Sequence, residues 1–238
     1  MKNPGLKTIK FLGALASALW LAGCSNSLVV EGQFPSPMVD KLPLSLGVHY
    51  EDGFRKYVYE EKSEDRSKWT IDSGKAQIEL FNTILPAMFN KVVMVDKLPE
   101  IAITEATDPI DEVELPPAAS APQEPALSEV DLYISPRVDE FQYAMPRETK
   151  VNVFEIWIKY NMRVYNSEGQ LIADWIMSAY GKTPTAFMKS KEEALNEAVV
   201  MALRDIGASL SLGFSRVPEI RAWLEQHNKT MITGSEAS

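Results

Sequence analysis

The residue best suited to chemistry is Cys24, the only cysteine of the chain. It follows Ala22 and Gly23, small residues that let a peptidase approach the backbone. Lysines precede an apolar run at 11–21, which is the order of charge and apolarity in a secretory signal. A membrane span needs about 20 apolar residues, so this run of 11 is too short to be one. We expect cleavage between Gly23 and Cys24.

The sequence Leu21-Ala22-Gly23-Cys24 resembles the lipobox of bacterial lipoproteins. The resemblance implies that Cys24 receives a diacylglycerol and that its freed amino group is acylated, for example with palmitate. Two or more fatty chains anchor a protein stably, whereas a single chain binds marginally. By the sorting tendency of that family, Ser25 implies the outer membrane, with the protein facing the periplasm. The alternative is an ordinary cleaved signal followed by an unmodified cysteine.

Histidine-based chemistry has little support. His49 and His227 are the only histidines, and neither has a second ligand two to four residues away, so no metal site is predicted. A Ser-His-Asp triad would need one of them, and the Gly-x-Ser-x-Gly elbow is missing from the sequence. We expect His49 to be an ordinary strand residue and His227 to complement the dipole of the last helix.

Other polar motifs favour structural roles. Ser73-Gly74-Lys75 lacks the first glycine of a phosphate-binding loop, so helix capping is the better interpretation. Glu60-Glu61 and Glu192-Glu193 are typical of solvated faces, although carboxylates paired in space stay open at this stage. We predict no enzymatic activity, no cofactor and no metal. A cell-wall or lipid hydrolase, the third hypothesis, would need a carboxylate pair or a triad in a cleft.

Charge and composition divide the chain. The 24 basic and 33 acidic residues include three lysines of the signal, so the mature net charge is about −12, which argues against nucleic acid as a partner. Nine acids and no basic residue lie between Lys97 and Arg137. The acidic, Pro- and Ala-rich stretch 99–129 cannot bury enough apolar area to offset ordering entropy, which predicts a disordered insertion or linker. A proline-rich docking motif is the alternative.

The predicted organisation has six parts. Residues 1–23 are the signal peptide, 24–43 a lipidated tether with three prolines, 44–98 and 130–228 the two parts of the folded domain, 99–129 the insertion, and 229–238 a polar tail. A partly ordered tether, with Phe34 and Val39 docked on the domain, is the alternative to an extended one.

The first part of the domain mixes strands with one helix. Alternation from Leu44 to Val48 and the apolar 57–59 predict strands, and Glu51-Asp52-Gly53 is typical of a turn between them. An apolar stripe from residue 78 to 89 predicts an amphipathic helix, which Pro86 should bend or shorten. The unbroken apolar run within 91–96 predicts a short strand that is buried on both faces.

The second part contains the clearest pattern. Residues 130–134 and 141–143 are strand-like, with Ser135-Pro136-Arg137 between them, and 151–165 and 171–179 alternate strictly across a Gly-containing turn. The alternating runs predict an antiparallel hairpin with one face on the core. Ser190 and Glu193 form a capping box that opens a helix, and a last helix starts at Pro218.

These elements predict an α+β fold, a mainly antiparallel sheet with helices packed on one face. The order of elements around 151–210 resembles transport-auxiliary lipoproteins and assembly lipoproteins with a TolB-N-terminal-like fold. The leading hypothesis is therefore a non-enzymatic accessory factor that binds an envelope protein. A carrier of lipid or another apolar ligand is the alternative.

One aromatic residue breaks the alternation of the hairpin. Trp157 lies on the polar face of its strand, opposite to Phe154 and Ile156. Aromatic residues dominate interface hot spots, so Trp157 is the candidate contact for a partner. The competing interpretation is that a loop or the tether covers it.

Overall fold

The computed structural model describes residues 26–60, 69–99, 130–149, 151–185 and 189–236, with side chains up to residue 229. The strands are β1 Asn26–Val29, β2 Leu42–Val48, β3 Val58–Glu60, β4 Trp69–Asp72, β5 Phe89–Met94, β6 Leu132–Ala144, β7 Val153–Asn166 and β8 Leu171–Pro184. The helices are α1 Asp52–Arg55, α2 Gly74–Met88, α3 Pro146–Thr149, α4 Lys191–Gly213 and α5 Pro218–Glu236, with a 3₁₀ turn at Phe214–Arg216. The predicted α+β class is confirmed.

The strands form two sheets. The larger has the order β5-β2-β6-β7-β8, with β6, β7 and β8 antiparallel and β2 parallel to both β5 and β6. The smaller has the order β1-β4-β3. Its strand β3 packs on the end of β6, where the Tyr59 ring stacks on Phe141 with centroids 4.9 Å apart.

The predicted hairpin is confirmed as β7 and β8, which pair from Val153–Pro184 to Tyr165–Leu171. Its turn is closed by Asn166, whose side-chain oxygen accepts hydrogen bonds from the backbone N–H groups of Glu168 and Gln170 at 3.0 and 2.8 Å. Gly169 has a φ of 80°, a conformation that glycine adopts without strain. The hairpin is therefore fixed locally, by the residues of its own turn.

Two predicted strands are one. The pattern predicts separate strands at 130–134 and 141–143, whereas β6 runs unbroken through Pro136, which pairs with Met162 of β7. Pairing of β6 with β2 ends at Ile134, so the missing N–H of Pro136 faces an edge that has no partner among the described strands.

The prediction that 91–96 forms a strand buried on both faces is wrong. β5 is an edge strand, and only Phe89, its first residue, is buried. The apolar run of β5 resembles that of a buried parallel strand because β5 pairs in parallel with β2. As the edge strand of the described sheet, however, β5 has a neighbouring strand on one side only. The predicted turn at Glu51-Asp52-Gly53 is likewise the start of the one-turn helix α1.

Helices α2 and α4 cover one face of the large sheet, which we call the inner face; the other is the open face. The capping box of α4 is confirmed, with Ser190 Oγ accepting from the Glu193 N–H at 3.0 Å and Glu193 Oε2 accepting from the Ser190 N–H at 2.8 Å. A methyl group at Gly181 would overlap backbone atoms of Ala198 and Ala202, so glycine lets α4 approach β8 closely. The segment Lys191–Arg216 is long and apolar enough to span a membrane, but half of its apolar window is buried, as in a core helix.

The described part of the predicted tether packs on the domain. β1 pairs in parallel with β4, and Leu28, Val30 and Phe34 are buried in the core. Residues 30–37, which we call the strap, run along α4 without regular secondary structure, with Gly32 against the side chain of Val200. This arrangement matches the alternative of a partly ordered tether.

One hydrophobic core joins the two predicted parts of the domain. Its buried residues come from both stretches, and examples are Leu46, Phe81, Ile134, Tyr160 and Leu203. Helix α5 continues to Glu236, into the stretch predicted as a polar tail. The predicted signal peptide and almost all of the predicted insertion lie outside the described residues.

Candidate functional site

The predicted lipidation site lies just before the described chain. Gly23, Cys24 and Ser25 fall outside the described residues, and β1 begins at Asn26. Cleavage, lipidation and sorting at these positions stay predictions. What the structure adds is the short distance along the chain between Cys24 and the folded domain.

The strap is pinned to α4 by polar contacts. The side chain of Asn196 accepts from the Glu31 N–H at 3.0 Å and donates to the Glu31 carbonyl at 2.8 Å. Arg204 donates two hydrogen bonds to the Gln33 carbonyl, at 3.1 Å from Nε and 2.8 Å from Nη2. After Val30, whose N–H still bonds to Asp72 of β4, the strap backbone pairs with no strand among the described residues, and Glu31 and Gln33 find their hydrogen-bond partners on a helix.

Trp157 lies on the open face, as the alternation predicts, and is 39% exposed. Its neighbour across the hairpin is Tyr180, also 39% exposed, with ring centroids 5.4 Å apart and an interplanar angle of 40°. On its other side Trp157 pairs with Gln142 of β6. We call Gln142, Trp157 and Tyr180 the aromatic patch; no residue that the structure describes buries it.

Charged groups surround the aromatic patch. Lys159 forms an ion pair with Glu140, and the hydrogen bond from Lys159 lowers the pKa of the Glu140 carboxyl. The Tyr180 hydroxyl donates to Glu155 Oε1 at 2.8 Å, and its pKa is raised, first by partial burial and then by this bond. These contacts hold the side chains on either side of the patch in place and leave the Trp157 and Tyr180 rings partly exposed.

The patch has only a shallow cavity. Glu140, Gln142, Trp157 and Lys159 line a space of about 210 Å³, smaller than the roughly 300–1,000 Å³ typical of small-molecule sites. A second cleft of about 160 Å³, between Pro37, Leu80 and Gly207, separates the strap from α2 and α4. At these two places the dimensions fit surface contacts better than an enclosed ligand.

The two histidines contact different groups and share no partner among the contacts described here. His49 donates from Nδ1 to the Val95 carbonyl at 3.3 Å, which ties β2 to the chain after β5. His227 stacks on Trp223 with centroids 4.6 Å apart and has Asp131 Oδ1 4.0 Å from its Nε2. Within the described ranges, no three His, Cys, Asp or Glu side chains come together as a metal site would require.

The predicted carboxylate pairs have structural surroundings where they are described. Glu193 belongs to the capping box, and Glu192 is exposed in the first turn of α4. Glu51 contacts two arginines: it lies 3.1 Å from Arg163 Nη2 and 3.6 Å from Arg137 Nε. Of the Ser73-Gly74-Lys75 run, Ser73 stands at the N-cap of α2, as predicted, although its side chain makes no capping hydrogen bond.

A buried polar chain lies under the sheet. The Tyr160 hydroxyl donates to Gln77 Oε1 at 2.8 Å, and Gln77 Nε2 donates to the Phe54 carbonyl at 3.2 Å. Burial raises the pKa of Tyr160 well above its usual value. This chain joins β7, α2 and α1 and has no opening to solvent, so we assign it to the architecture.

Sequence reasoning missed two features of the site. Tyr180 continues the register of Asp174, Ile176 and Ser178, which are all exposed, so the alternation contained a signal for its exposure. No local pattern signalled the role of Asn196, because its contact with Glu31 joins residues 165 positions apart.

No family model matches the chain, and no curated protein matches it. Among solved structures it is similar to a DUF330 protein from Xanthomonas campestris, at 9% identity and a TM-score of 0.46, over 78% of this chain and 92% of that one. A hypothetical protein from Chlamydia trachomatis matches at 12% identity and a TM-score of 0.36, over 71% and 96%.

A third similar structure is named a candidate lipoprotein from Caulobacter crescentus. It matches at 15% identity and a TM-score of 0.25, over 37% of this chain and 70% of that one. All three proteins come from bacteria. All three TM-scores lie below 0.5.

Proposed function

We propose that this protein is a lipid-anchored bacterial outer-membrane lipoprotein that faces the periplasm and acts, without catalysis, as a binding, assembly or transport accessory factor. The observation that carries the proposal is the single cysteine of the chain, at the end of a signal and within Leu-Ala-Gly-Cys. A diacylglycerol and an amide-linked acyl chain on Cys24 would hold the mature protein stably in a bilayer.

Replacement of the cysteine tests the anchor. Cys24→Ser removes the thiol that accepts the lipid, so we expect the variant to leave the membrane fraction, while the wild type stays there and carries a diacylglycerol on its N-terminal peptide by mass spectrometry. A variant that still sediments with membranes after signal removal would overturn the proposal.

The outer-membrane assignment has its own test. Ser25→Asp changes the residue after the lipidated cysteine, and we expect it to move the protein from the outer-membrane band of a density gradient to the inner-membrane band. Ser25→Ala is the matched control and should keep the wild-type band. If both variants distribute like the wild type, the sorting argument fails.

The aromatic patch supports the binding function. Trp157 and Tyr180 combine a large apolar surface with exposure, which is the profile of interface hot spots, and the charges beside them suit a polar rim. The described core beneath them is filled by buried side chains, so the fold itself has no need of an exposed indole.

Cross-linking in intact envelopes tests the patch. We expect wild-type protein to give one reproducible cross-linked envelope protein, and Trp157→Ala to reduce its yield at least about tenfold, since hot-spot truncations cost about 2 kcal/mol or more. Leu171→Ala, 53% exposed at the other end of the hairpin, is the control and should keep the yield. Equal loss in both variants would exclude the patch as the contact.

A further inference from the structure

Almost no spacer separates Cys24 from the folded domain. β1 begins two residues later, at Asn26, and two extended residues reach about 7 Å. The strand is an integral part of the domain, because it pairs with β4 and buries Leu28 to 3% and the following Val30 to 2% exposure. It could serve as a tether only by breaking these contacts.

The strap determines where β1 lies along α4. Glu31 bonds to Asn196, and Gln33, further along the strap, bonds to Arg204, further along the helix. Strap and helix therefore run in the same direction. β1, which precedes the strap, lies towards the first turn of α4.

The contacts of α4 with β8 then locate that first turn on the hairpin. Thr183 contacts Met201, whereas Tyr180, three residues earlier, bonds through its N–H to Asp205, four residues later in the helix. Helix and strand run in opposite directions, so α4 begins where β8 ends. β1 thus lies at the end of the hairpin where β7 starts and β8 finishes, which we call the anchor-proximal end.

Cations and an apolar side chain are exposed at this end. Arg147 of α3, Lys182 of β8 and Lys191 of α4 are exposed and have no ion-pair partner among the described residues. Val151, beside the start of β7, is 66% exposed. Acids are exposed at the same end, namely Glu148, Glu192 and Glu193, and Glu155 pairs with Lys182 across the hairpin, so the charge there is mixed. The placement of this end at the bilayer therefore rests on the short spacer after Cys24, and the cations supply contacts for the phosphates of lipid headgroups.

We propose that the anchor-proximal end rests on the phospholipid headgroups of the bilayer that holds the anchor, and that the hairpin stands away from it with the Asn166–Gln170 turn outermost. The inference rests on the proposed lipidation of Cys24. The hairpin strands, 14 residues each, rise about 45 Å, so the turn lies far above the headgroups. Trp157 and Tyr180 stand four residues from the anchored end, about 13 Å above it, and face a partner in the periplasm.

Three exposed positions of β8 allow the distance of the hairpin from the bilayer to be measured. Lys182, Ser178 and Asp174 are exposed on the open face at intervals of four residues, about 13 Å each. Because Cys24 is the only cysteine and its sulfur would be held in a thioether, a cysteine at each position is the sole free thiol of the lipidated chain. The three variants are labelled with a fluorophore and reconstituted in phosphatidylethanolamine–phosphatidylglycerol vesicles that contain headgroup spin-labelled lipid.

We expect quenching to fall in the order Lys182→Cys, Ser178→Cys, Asp174→Cys, with at least about a twofold difference between the first and the last. Ten Gly/Ser residues inserted between Ser25 and Asn26 should keep the protein on the vesicles and abolish the gradient. Uniform or reversed quenching of vesicle-bound protein overturns the orientation alone. Lipidated protein that does not bind vesicles, or Cys24→Ser protein that binds equally well, overturns the lipid anchor and the orientation together.

Discussion

The β7–β8 hairpin presents two faces that differ completely although their residues alternate along the same strands. On the inner face Ile156, Tyr160 and Gly181 are buried under α4 and α2. On the open face Trp157 and Tyr180 keep much of their surface in solvent. The inner face is determined by packing, where atoms must fit. The open face has no such requirement, which is why we propose a role in recognition for the large aromatic groups there.

Neighbouring residues on the two faces give the sharpest test. Ile156→Ala leaves a cavity in the core and should reduce the free energy of unfolding by about 2–5 kcal/mol. Trp157→Ala removes a larger side chain but should cost less than about 1 kcal/mol, because its site opens to solvent. Urea unfolding of the mature chain with Cys24→Ser measures both. Equal costs would mean that Trp157 is a core residue.

Small residues set the distance between helix and sheet on the inner face. Gly181→Val places branched carbon atoms where the backbone of Ala198 and Ala202 lies, so we expect a loss of about 1–3 kcal/mol or more from overpacking. Ser178→Val, on the open face of the same strand, should change stability by less than about 0.5 kcal/mol. A comparable loss in both variants would contradict the close approach of α4.

Two tyrosines extend the comparison to hydrogen bonds. Tyr160→Phe leaves Gln77 Oε1 without its donor in a buried site, and we expect it to cost about 1–2 kcal/mol. Tyr180→Phe breaks the bond to Glu155 in contact with water, where solvent replaces the donor, so its cost should stay below about 0.5 kcal/mol. Denaturation midpoints that shift equally would show that burial does not distinguish the two sites.

The sequence predicted what depends on periodicity and local chemistry. Alternation gave the faces of the hairpin, and Ser190 with Glu193 gave the start of α4, because both signals are contained in a few neighbouring residues. The joining of 130–134 to 141–143 across Pro136 could not be predicted, since it depends on which edge of β6 lacks a partner.

The docking of the strap was beyond local patterns for the same reason. Its prolines are typical of an extended segment, and the strap has no regular secondary structure. Its partners, Asn196 and Arg204, lie more than 160 residues away in the sequence. Whether the segment is a free tether or packs on the domain could therefore be decided only from the three-dimensional structure. The exposure of Trp157 was predictable, but the presence of Tyr180 beside it followed from the register of the pair.

The smallest expected effects concern pH, and they again differ in kind between the faces. Burial raises the pKa of Tyr57, which packs on the inner-face residue Phe141, from 10.0 to about 12. The folded state therefore favours the neutral phenol, so this contribution to stability is complete below pH 10 and is lost as the pH rises towards 12. Because Tyr57 is partly exposed, we expect a loss of at most about 1 kcal/mol, which Tyr57→Phe should remove.

Glu140 on the open face should respond in the opposite direction. Because Lys159 donates a hydrogen bond to it, its pKa lies below the ordinary value, so the ion pair contributes above that value and is lost as the pH falls through the folded pKa. Unfolding curves of Glu140→Gln should therefore differ from the wild type near neutral pH and converge with it in acid. If the stability of Glu140→Gln relative to the wild type changed in the alkaline range, or that of Tyr57→Phe changed in the acid range, the two faces would not be electrostatically independent.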